Sequence, residues 1–511
     1  MRDLGVGSWP RRRLKNGADR TAISFGDTAL SYADVERRTR RLANALRAAG
    51  VGRGDRVAYV GFNHPSLLET FFATAQLGAI WVVVNARLAA EEVAYVLGDC
   101  GAGVVVHGPE HDELVRRIAP GLPAVRAWVG VGPPGTAGPY EELIAAAGEE
   151  EVDEPVTWDD PALIMYTSGT TGRPKGAVHT HGSLSFQYFS VLVDTDVAHD
   201  DVALAFAPLF HVAGLNMLVM PTFLKGGRIV LQQQFRPEAV LRAIAGERAT
   251  SMFAVPTMLD LLARHELFPA TDVSSLRNVV VGGSPLPDRT LRAWADRGVP
   301  IEQGYGMTET APGVFLLTAA DAERKHGSAG RPHFWVEGRV VRADGGDVAP
   351  GEIGEVVAQG PNVMAGYWED PGATDAALVD GWYRTGDLAT VDDDGYVYVR
   401  DRLKDMYISG GENVYPAEVE NALLEVPGVA EAAVVGVPDE RWGEVGCAFV
   451  VLSDDAGLAP EDVEAHVRDA LADRLARYKI PRHVVVRPEL PRTATGKLRK
   501  HVLRQRFEEA P

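Results

Sequence analysis

The pattern of apolar and polar positions in residues 20–110 alternates between helix-like and strand-like segments. Tyr32 to Ala49 carries apolar residues at helical spacing, and Pro65 to Leu77 predicts a second helix. Short apolar runs at Val57–Val60 and Ile80–Val84 predict buried strands. Strands that alternate with helices in this way are typical of parallel sheets covered by helices. We therefore expect the first part of the chain to be an α/β domain of parallel-sheet subdomains.

The pattern changes twice in the second half of the chain. From Gly338 to Arg400, short alternating strands separated by turn signals predict a small β-barrel-like part. Further on, Glu412–Val426 holds a predicted helix whose start is marked by Asn413 and Pro416. Two strands follow, and residues 460–477 predict an amphipathic helix. These elements indicate a small α+β unit. The expected domains are residues 1–400 and 405–511, with the boundary at 401–404.

Composition and charge narrow the classes of function. A chain of 511 residues predicts two or more domains, and 46% hydrophobic with 24% charged residues is ordinary for a globular protein. The formal net charge of −19 argues against binding to nucleic acid or to an anionic membrane. The two cysteines, Cys100 and Cys447, cannot form a disulfide framework, which favours a reducing cytoplasm. We expect no signal peptide and no membrane-spanning segment.

The stretch Tyr166–Gly176 is rich in glycine and hydroxyl side chains and lies between two strand-like apolar runs. Glycines let main-chain N–H groups converge on an anion, hydroxyls add donors, and Lys175 adds a mobile positive charge. It is not a Walker A loop, because no Gly-Lys-Ser/Thr follows at the required spacing. A solvent-exposed turn is the structural alternative to a polyphosphate site. The candidate phosphate-binding residues are Thr167, Ser168, Gly169, Thr170, Thr171 and Lys175.

The full string Tyr166–Gly176 resembles the phosphate-loop signature of the adenylate-forming enzymes, which include acyl-CoA synthetases, luciferases and the adenylation domains of peptide synthetases. Further motifs follow in the family's order as far as Lys497, so the resemblance covers essentially the whole chain. The stretches Arg402–Asp405 and Ile408–Pro416 are most similar to the fatty-acid and aryl-acid CoA ligases. The resemblance implies activation of a carboxylic acid by ATP to an acyl-AMP, followed by acyl transfer to coenzyme A, with AMP and pyrophosphate as products.

The segment Gln303–Glu309 offers the groups that an adenosine phosphate needs. The ring of Tyr305 can stack on adenine, the hydroxyl of Thr308 can donate to the α-phosphate, and Glu309 can hold Mg²⁺ through a hard oxygen ligand. Thr167 is a second candidate ligand for Mg²⁺. The other residues that we expect at the nucleotide in this domain are Gly283, Ser284, Pro285, Gln303 and Gly304.

The resemblance also assigns roles to residues near and beyond the domain boundary. Asp387 would accept hydrogen bonds from both ribose hydroxyls, and Arg402 would touch the ribose. Lys404 would be the hinge about which a mobile C-terminal domain rotates between two poses. Lys497 would bridge the carboxylate and the α-phosphate during activation. Ser409, Gly410 and Gly411 would face the coenzyme A side in the second pose.

The acyl side is predicted from four residues: His211, Val255, Gly282 and Gly306. A single histidine in the apolar run Ala207–Gly214 is commonly a packed core residue, whereas the resemblance implies that His211 positions the carboxylate and gates the route of the thiol. Acetyl-CoA synthetases carry tryptophan where Gly306 stands, so the resemblance implies an acid larger than acetate. Fatty, aryl and branched acids all stay open.

Three rival functions remain at the level of the sequence. An amino-acid adenylation domain needs an anion for the substrate's ammonium group, and Val202–Leu215 contains no acidic residue. An adenylating enzyme could use an amine, nitrite, oxygen or a carrier protein in place of coenzyme A. A catalytically silent nucleotide-binding protein is disfavoured because Lys497, Glu309 and Asp387 are all present. The expected partners are the acid, ATP and coenzyme A, without nucleic acid; a homodimer is left open.

Overall fold

The protein is described from a computed structural model, in which residues 3–133, 138–152, 154–167, 174–402, 405–409, 412–439, 442–453, 456–459, 462–472, 475, 477–492 and 498–508 are placed. The chain divides into two compact units. The first comprises Met1–Gly338 with Ala358–Tyr383, and the second comprises Arg339–Val357 with Arg384–Pro511. The sequence-based boundary at 401–404 stays a prediction.

The strands up to residue 332 are β1 (Thr21–Phe25), β2 (Thr28–Ser31), β3 (Arg56–Val60), β4 (Ile80–Val84), β5 (Val104–His107), β6 (Ala127–Gly130), β7 (Pro161–Thr167), β8 (Lys175–Thr180), β9 (Val202–Ala205), β10 (Arg228–Leu231), β11 (Ser251–Ala254), β12 (Asn278–Gly282), β13 (Ile301–Gly306), β14 (Gly313–Leu317) and β15 (Arg331–Pro332). The later strands are β16 (Glu337–Val341), β17 (Gly354–Gln359), β18 (Gly366–Tyr367), β19 (Leu378–Val379), β20 (Trp382–Val391), β21 (Val397–Arg402), β22 (Tyr407–Ser409), β23 (Glu412–Val414), β24 (Val429–Asp439), β25 (Gly443–Leu452) and β26 (His483–Val486).

The α-helices are α1 (Trp9–Arg13), α2 (Tyr32–Ala48), α3 (Pro65–Gln76), α4 (Ala90–Asp99), α5 (Asp112–Ile118), α6 (Pro139–Ala146), α7 (His181–Asp194), α8 (Val212–Gly214), α9 (Met220–Lys225), α10 (Pro237–Gly246), α11 (Pro256–Arg264), α12 (Asp288–Ala295), α13 (Pro371–Ala377), α14 (Pro416–Leu424), α15 (Val463–Ala472) and α16 (Lys500–Glu508). A π-helical turn, Leu215–Val219, joins α8 to α9. The 3₁₀ turns are Val6–Ser8, Leu14–Asn16, Pro109–His111, Ala119–Gly121, Phe268–Ala270 and Thr308–Thr310. None of these described helices has both the length and the apolar character that a membrane span requires.

Two large, mostly parallel sheets form the first unit. One has the strand order β15-β14-β13-β12-β11-β9-β10-β1-β2, and the other has the order β18-β8-β7-β4-β3-β5-β6. Their central strands are continuous apolar runs: all five residues of β4 are buried, as expected for strands covered on both faces. Helix α2 begins with a reciprocal capping box between Ser31 and Asp34 and buries Val35, Leu42 and Leu46. The predicted α/β fold is confirmed.

Smaller sheets complete the fold. A five-stranded sheet contains β16, β17, β20 and β19 in that order, with β21 paired to β20, in the region where the sequence predicted a barrel-like part. In the second unit, β23-β22-β25-β24 with β26 parallel to β25 form the sheet of the C-terminal α+β part. Helices α14 and α15 pack on this sheet through Val419, Leu423, Val467 and Leu471.

Two predicted helices are shorter in the structure than the sequence suggested. The helix predicted within Glu412–Val426 spans Pro416–Leu424; it begins at Pro416, one of its two predicted start signals, whereas the other, Asn413, lies in strand β23 and pairs with β22. The helix predicted over 460–477 is observed over Val463–Ala472, and residues 460, 461, 473, 474 and 476 lie outside the described residues. The proline at the first helical position explains the first start, since it lacks the N–H that the first turn leaves unbonded.

Glu302 is a buried carboxyl group on β13, and only 7% of the residue is exposed. The hydroxyl of Thr195 donates to its Oε2 over 3.1 Å. Burial raises the pKa of Glu302 to about 7 from 4.5, and the nearby charge of Asp194 acts in the same direction. The native protein therefore holds this proton in a pH range where the unfolded chain releases it. Stability from this group is full below pH 4.5 and is lost as the pH rises to 7.

We expect Glu302→Gln to stabilise the protein at pH 8 and to change its stability little at pH 5. A glutamine keeps the acceptor for Thr195 and removes the buried charge, and the gain at pH 8 should be about 3 kcal/mol. The measurement is the thermal unfolding midpoint of wild type and variant at both pH values. The exposed Glu266→Gln is the control and should show no such difference. Equal midpoint shifts at pH 5 and pH 8 would contradict the prediction.

Candidate active site

The predicted phosphate loop leaves the end of a two-stranded hairpin. Strands β7 and β8 pair antiparallel as far as Thr167 opposite Lys175, and Oγ1 of Thr167 lies 3.5 Å from the carbonyl oxygen of Lys175. Thr167 and Lys175 are thus brought together at the base of the loop. Ser168, Gly169, Thr170 and Thr171 lie outside the described residues, so their roles stay predictions.

The carboxylate of Glu309 is buried just after β13 and bonded to a tyrosine. The residue is 8% exposed, and the hydroxyl of Tyr367 donates to Oε1 over 3.0 Å. The main chain is fixed as well, since the N–H of Met364 donates to the Glu309 carbonyl over 2.8 Å. Nζ of Lys175 lies 5.3 Å from the centre of the Tyr367 ring. The structure therefore brings the loop lysine and the predicted metal ligand to one tyrosine.

Tyr367, Tyr383 and His179 lie near the Thr308–Glu309 turn and are neutral at pH 7. Burial, together with the charge of Glu309, raises the pKa of both Tyr367 and Tyr383 well above the ordinary value of a phenol. Burial lowers the pKa of His179 to about 4, so its ring is neutral at pH 7. Nε2 of His179 lies 2.7 Å from the carbonyl oxygen of Thr308 and donates to it. These contacts hold the Thr308–Glu309 turn.

Sequence reasoning missed Tyr367 and His179. In the sequence, His179 lies in the apolar run that follows the loop. The one feature that could have marked it as a site residue is that a histidine is unusual inside such a run. Tyr367 lies 58 residues beyond Glu309, and no spacing rule connects the two. Its signal was weaker still: a tyrosine directly after Gly366 in a short strand.

The strand ends predicted to meet adenosine lie close together. The side chain of Gln303 accepts from the N–H of Leu286 over 3.4 Å, which ties the loop after β12 to β13. Gly283 has φ +90°, a conformation that favours glycine, and Ser284 and Pro285 in the same loop are exposed. The ring of Tyr305 stacks on Phe315 with centroids 5.5 Å apart and an interplanar angle of 25°.

The glycines near the acyl side differ in why they lack a side chain. A Cβ on Gly306 would lie 1.4 Å from the carbonyl oxygen of Pro312, so backbone packing alone excludes any side chain there. A Cβ on Gly282 would lie 3.0 Å from the carbonyl oxygen of Gly304. A Cβ on Gly304, in contrast, would meet its nearest neighbours, among them Met217 and Val280, only at 3.9 Å. The inference of pocket size from Gly306 therefore has a competing structural cause, whereas Gly304 is the glycine at which a methyl group would make only ordinary contacts.

His211 precedes α8 and is half-buried, with its ring edge-on to Phe210 at 4.7 Å between centroids. Val255 packs against a buried apolar cluster that lies between α7, the π-helical turn and strands β11 and β12. The cluster is made of Val191, Val197, Ala207, Met217, Leu218, Phe253 and Val280. These residues make the surroundings of Val255 apolar.

In the second unit, Asp387 on β20 is 6% exposed and lies opposite Arg402 on β21. Ser409 ends β22 and is buried. Lys404, Gly410, Gly411 and Lys497 lie outside the described residues, and their roles stay predictions. The described residues hold no group of three or more His, Cys, Asp or Glu side chains arranged to bind a metal.

Two family profiles match the chain. The profile of the AMP-binding enzymes matches residues 10–368, and the profile of the AMP-binding enzyme C-terminal domain matches residues 418–497. Among curated proteins, feruloyl-CoA synthase of an Amycolatopsis species is 51% identical over 99% of this chain and 100% of its own. Indoleacetate–CoA ligase of Aromatoleum aromaticum is 43% identical over 98% of both chains. A long-chain-fatty-acid–CoA ligase of Mycobacterium tuberculosis is 40% identical over 94% of both.

Solved structures agree with these matches. An anthranilate CoA ligase in complex with anthranoyl-AMP superposes with a TM-score of 0.91, at 29% identity over 99% of this chain and 98% of that one. The o-succinylbenzoate CoA synthetase from Bacillus subtilis, in complex with its acyl-adenylate intermediate, superposes with a TM-score of 0.87, at 34% identity over 99% and 98%.

We expect Gly306→Ala to destabilise the first unit, and Gly304→Ala to leave it folded. A methyl group at position 306 would force β13 away from Pro312, at a cost of about 3 kcal/mol or more, whereas one at position 304 meets its neighbours at ordinary contact distance. Thermal unfolding of both variants checks this. Matching unfolding midpoints for the two variants would contradict it.

Proposed function

From the premise that this chain belongs to the AMP-binding enzyme family, we propose that the acid it activates carries an aromatic ring. The protein is an acid–thiol ligase: it activates a carboxylic acid with ATP and transfers the acyl group to coenzyme A. The observation that carries the proposal is that two curated relatives of high identity are named for feruloyl and indoleacetate, both aromatic. The apolar cluster that contains Met217 and Val280, two of the nearest neighbours of Gly304, supports it because it provides apolar surroundings.

The first half-reaction joins two anions. A carboxylate oxygen of the acid attacks the α-phosphorus of ATP. The bond between the α-phosphorus and the oxygen that bridges it to the β-phosphorus breaks, and pyrophosphate leaves. In the second half-reaction, the thiol sulfur of coenzyme A attacks the acyl carbon, the bond from this carbon to the phosphate oxygen breaks, AMP leaves and the thiol proton is released to water. A carboxylate has no good leaving group, so AMP supplies one. Because both reactants of the first step are negative, charge neutralisation is the main requirement for catalysis.

The residues of the first unit fit this requirement. Glu309 offers one hard oxygen donor without a wider cluster of acidic ligands among the described residues, which suits Mg²⁺ that takes its other ligands from phosphates and water. Bound there, with Thr167 as a second candidate ligand, Mg²⁺ would neutralise phosphate charge. Thr308 would donate to the α-phosphate, while Lys175 and the loop Ser168–Thr171 would bind the phosphates. Gly283–Pro285, Gln303, Gly304 and Tyr305 would form the adenosine side, and His211 would position the carboxylate.

Residues of the second unit would complete the nucleotide site. Asp387 and Arg402, which are paired across β20 and β21, would bind the ribose. Lys497 would bridge the carboxylate and the α-phosphate for activation only. Rotation about Lys404 would then remove Lys497 and bring Ser409, Gly410 and Gly411 to the thiol. We propose a cytoplasmic location, where ATP and coenzyme A are available and where free cysteines such as Cys100 and Cys447 persist.

We expect Lys497→Ala to reduce ATP–pyrophosphate exchange by ~10²–10³-fold or more, the cost typical of losing one such charge-stabilising group. Thioester formation from supplied acyl adenylate should be spared, because Lys497 acts only in activation. Arg506→Ala removes an exposed cation of α16; it is the control and should change neither half-reaction. Equal loss of both half-reactions in Lys497→Ala would contradict the assignment.

We expect aromatic acids to be used with kcat/KM about 10-fold or more above saturated fatty acids of equal carbon number, since a shaped apolar pocket discriminates by about 1–3 kcal/mol. AMP release should require coenzyme A for multiple turnovers. The measurement is AMP formation with a panel of cinnamic, arylacetic, saturated fatty and amino acids. Fatty acids used as well as aromatic ones would overturn the aromatic assignment and leave the ligase assignment standing.

A further inference from the structure

His333 is a buried histidine whose two ring nitrogens have different surroundings. Nδ1 lies 2.7 Å from Oδ2 of Asp194, and the N–H of Phe334 donates to the same oxygen over 3.1 Å. Because a carboxylate only accepts, Nδ1 carries the proton, and in the neutral imidazole Nε2 is then an acceptor. Nε2 is buried, and no donor among the described residues reaches it. A buried acceptor without a donor is uncommon and calls for an explanation.

Gln187 on α7 is fully buried, and the N–H groups of its side-chain amide lack a strong acceptor among the described residues. Its Oε1 accepts from the N–H of Gly313 over 3.1 Å, which fixes the orientation of the amide. Nε2 is therefore the donor end. Among the described residues, Nε2 of Gln187 donates to the sulfur of Met217 over 3.8 Å, and a thioether is a weak acceptor.

The side chains of Gln187 and His333 approach each other beside Gly313, which has no side chain. A Cβ on Gly313 would lie 2.7 Å from Oε1 of Gln187 and 2.7 Å from Cδ2 of His333, the ring atom bonded to Nε2. A donor and an acceptor that both lack strong partners among the described residues therefore belong to two side chains that meet beside Gly313.

This polar pair adjoins the acyl side of β13. Gly313 on β14 pairs with Gly306 on β13. The sulfur of Met217 contacts Gln187, while its methyl carbon lies 3.9 Å from the position of a Cβ on Gly304. Met217 thus contacts Gln187 and lies at ordinary contact distance from a Cβ on Gly304. Its flexible thioether side chain can turn aside at low cost when another group fills this space.

We propose that Gln187 and His333 recognise a ring hydroxyl at the end of the aromatic acid that is remote from its carboxylate. A hydroxyl both donates and accepts, so it can donate to Nε2 of His333 and accept from Nε2 of Gln187. This inference rests on the proposed function and narrows it to hydroxyaryl acids. An acid with an apolar far end would leave both protein groups buried without partners, which costs affinity.

The same surroundings disfavour a second carboxylate at that end. Asp194 already accepts from His333, and Glu302, two residues before Gly304 on β13, lies on the same face of the strand. An additional buried negative charge would be repelled by the carboxylate of Asp194, and by Glu302 as well above pH 7, where that group loses its proton. A neutral hydroxyl carries no such penalty.

The test compares cinnamic acid with its 4-hydroxy and 4-methoxy derivatives as substrates for acyl-CoA formation. In wild type, we expect kcat/KM for the 4-hydroxy acid to exceed that of cinnamic acid by about 10-fold or more, the equivalent of one well-made hydrogen bond. The 4-methoxy acid, which can accept but not donate, should lose most of this advantage.

Two variants assign the effect to residues. His333→Asn keeps a donor to Asp194 and removes the Nε2 acceptor, so it should reduce the preference for the 4-hydroxy acid to about 1 and leave kcat/KM for cinnamic acid within about 3-fold. Gln187→Met removes the donor at similar volume and should act in the same direction, which keeps the test available if one variant fails to fold. The exposed His326→Asn is the control and should keep the wild-type preference.

The outcomes separate the two levels of the proposal. If no aromatic acid yields AMP with the wild-type enzyme, the proposed function fails. If aromatic acids are activated but wild type shows no preference for the hydroxyl, the hydroxyl site is overturned while the function stands. A loss of activity in His333→Asn that is equal for all three acids would assign the residue a purely structural role and would also overturn it.

Discussion

The active region of the first unit depends on one close backbone contact, between Gly306 on β13 and the carbonyl oxygen of Pro312. Gly306 has no side chain, and this allows the chain to turn back tightly after β13 and to begin β14 at Gly313. Glu309 lies within this return, which buries its carboxylate. The same return brings Gly313 against the side chains of α7. One steric constraint thus positions both the proposed nucleotide side and the proposed acyl side.

The electrostatics of the site follow from what surrounds Glu309. A buried carboxylate is costly unless it is hydrogen-bonded, and Tyr367 supplies that bond. The neighbouring phenols keep their protons because their pKa values are raised, and His179 is neutral because burial lowers its pKa. The partners of Glu309 therefore solvate its charge without cancelling it. A carboxylate held in this way remains able to bind the cation that accompanies ATP.

Much of this arrangement could be predicted from the sequence, where local patterns decide it. The apolar run of β4 and the helical spacing in α2 indicated the α/β fold, and the Gln303–Glu309 string indicated Glu309. Of the two start signals for α14, Pro416 is confirmed and Asn413 is wrong, because strand pairing with β22 overrides local helix preference over Glu412–Val414.

Contacts between distant positions could not be predicted in this way. Tyr367 with Glu309 and Gln187 with Gly313 are joined only by the fold, at separations of 58 and 126 residues. Gly306 illustrates a further limit of sequence reasoning. A glycine shows that a side chain is missing, but only the structure tells whether backbone or ligand occupies the space.

The central claim is that β13 serves two substrates, with its end directed to the nucleotide and the face of Gly304 directed to the acid. A crystal structure with a non-hydrolysable cinnamoyl-sulfamoyl adenosine tests this most directly. The account predicts adenine beside Tyr305, the sulfamoyl group at Thr308 and the aromatic ring between Gly304 and Met217. An aromatic ring bound away from Gly304 and Met217, with adenosine in its expected position, would contradict it.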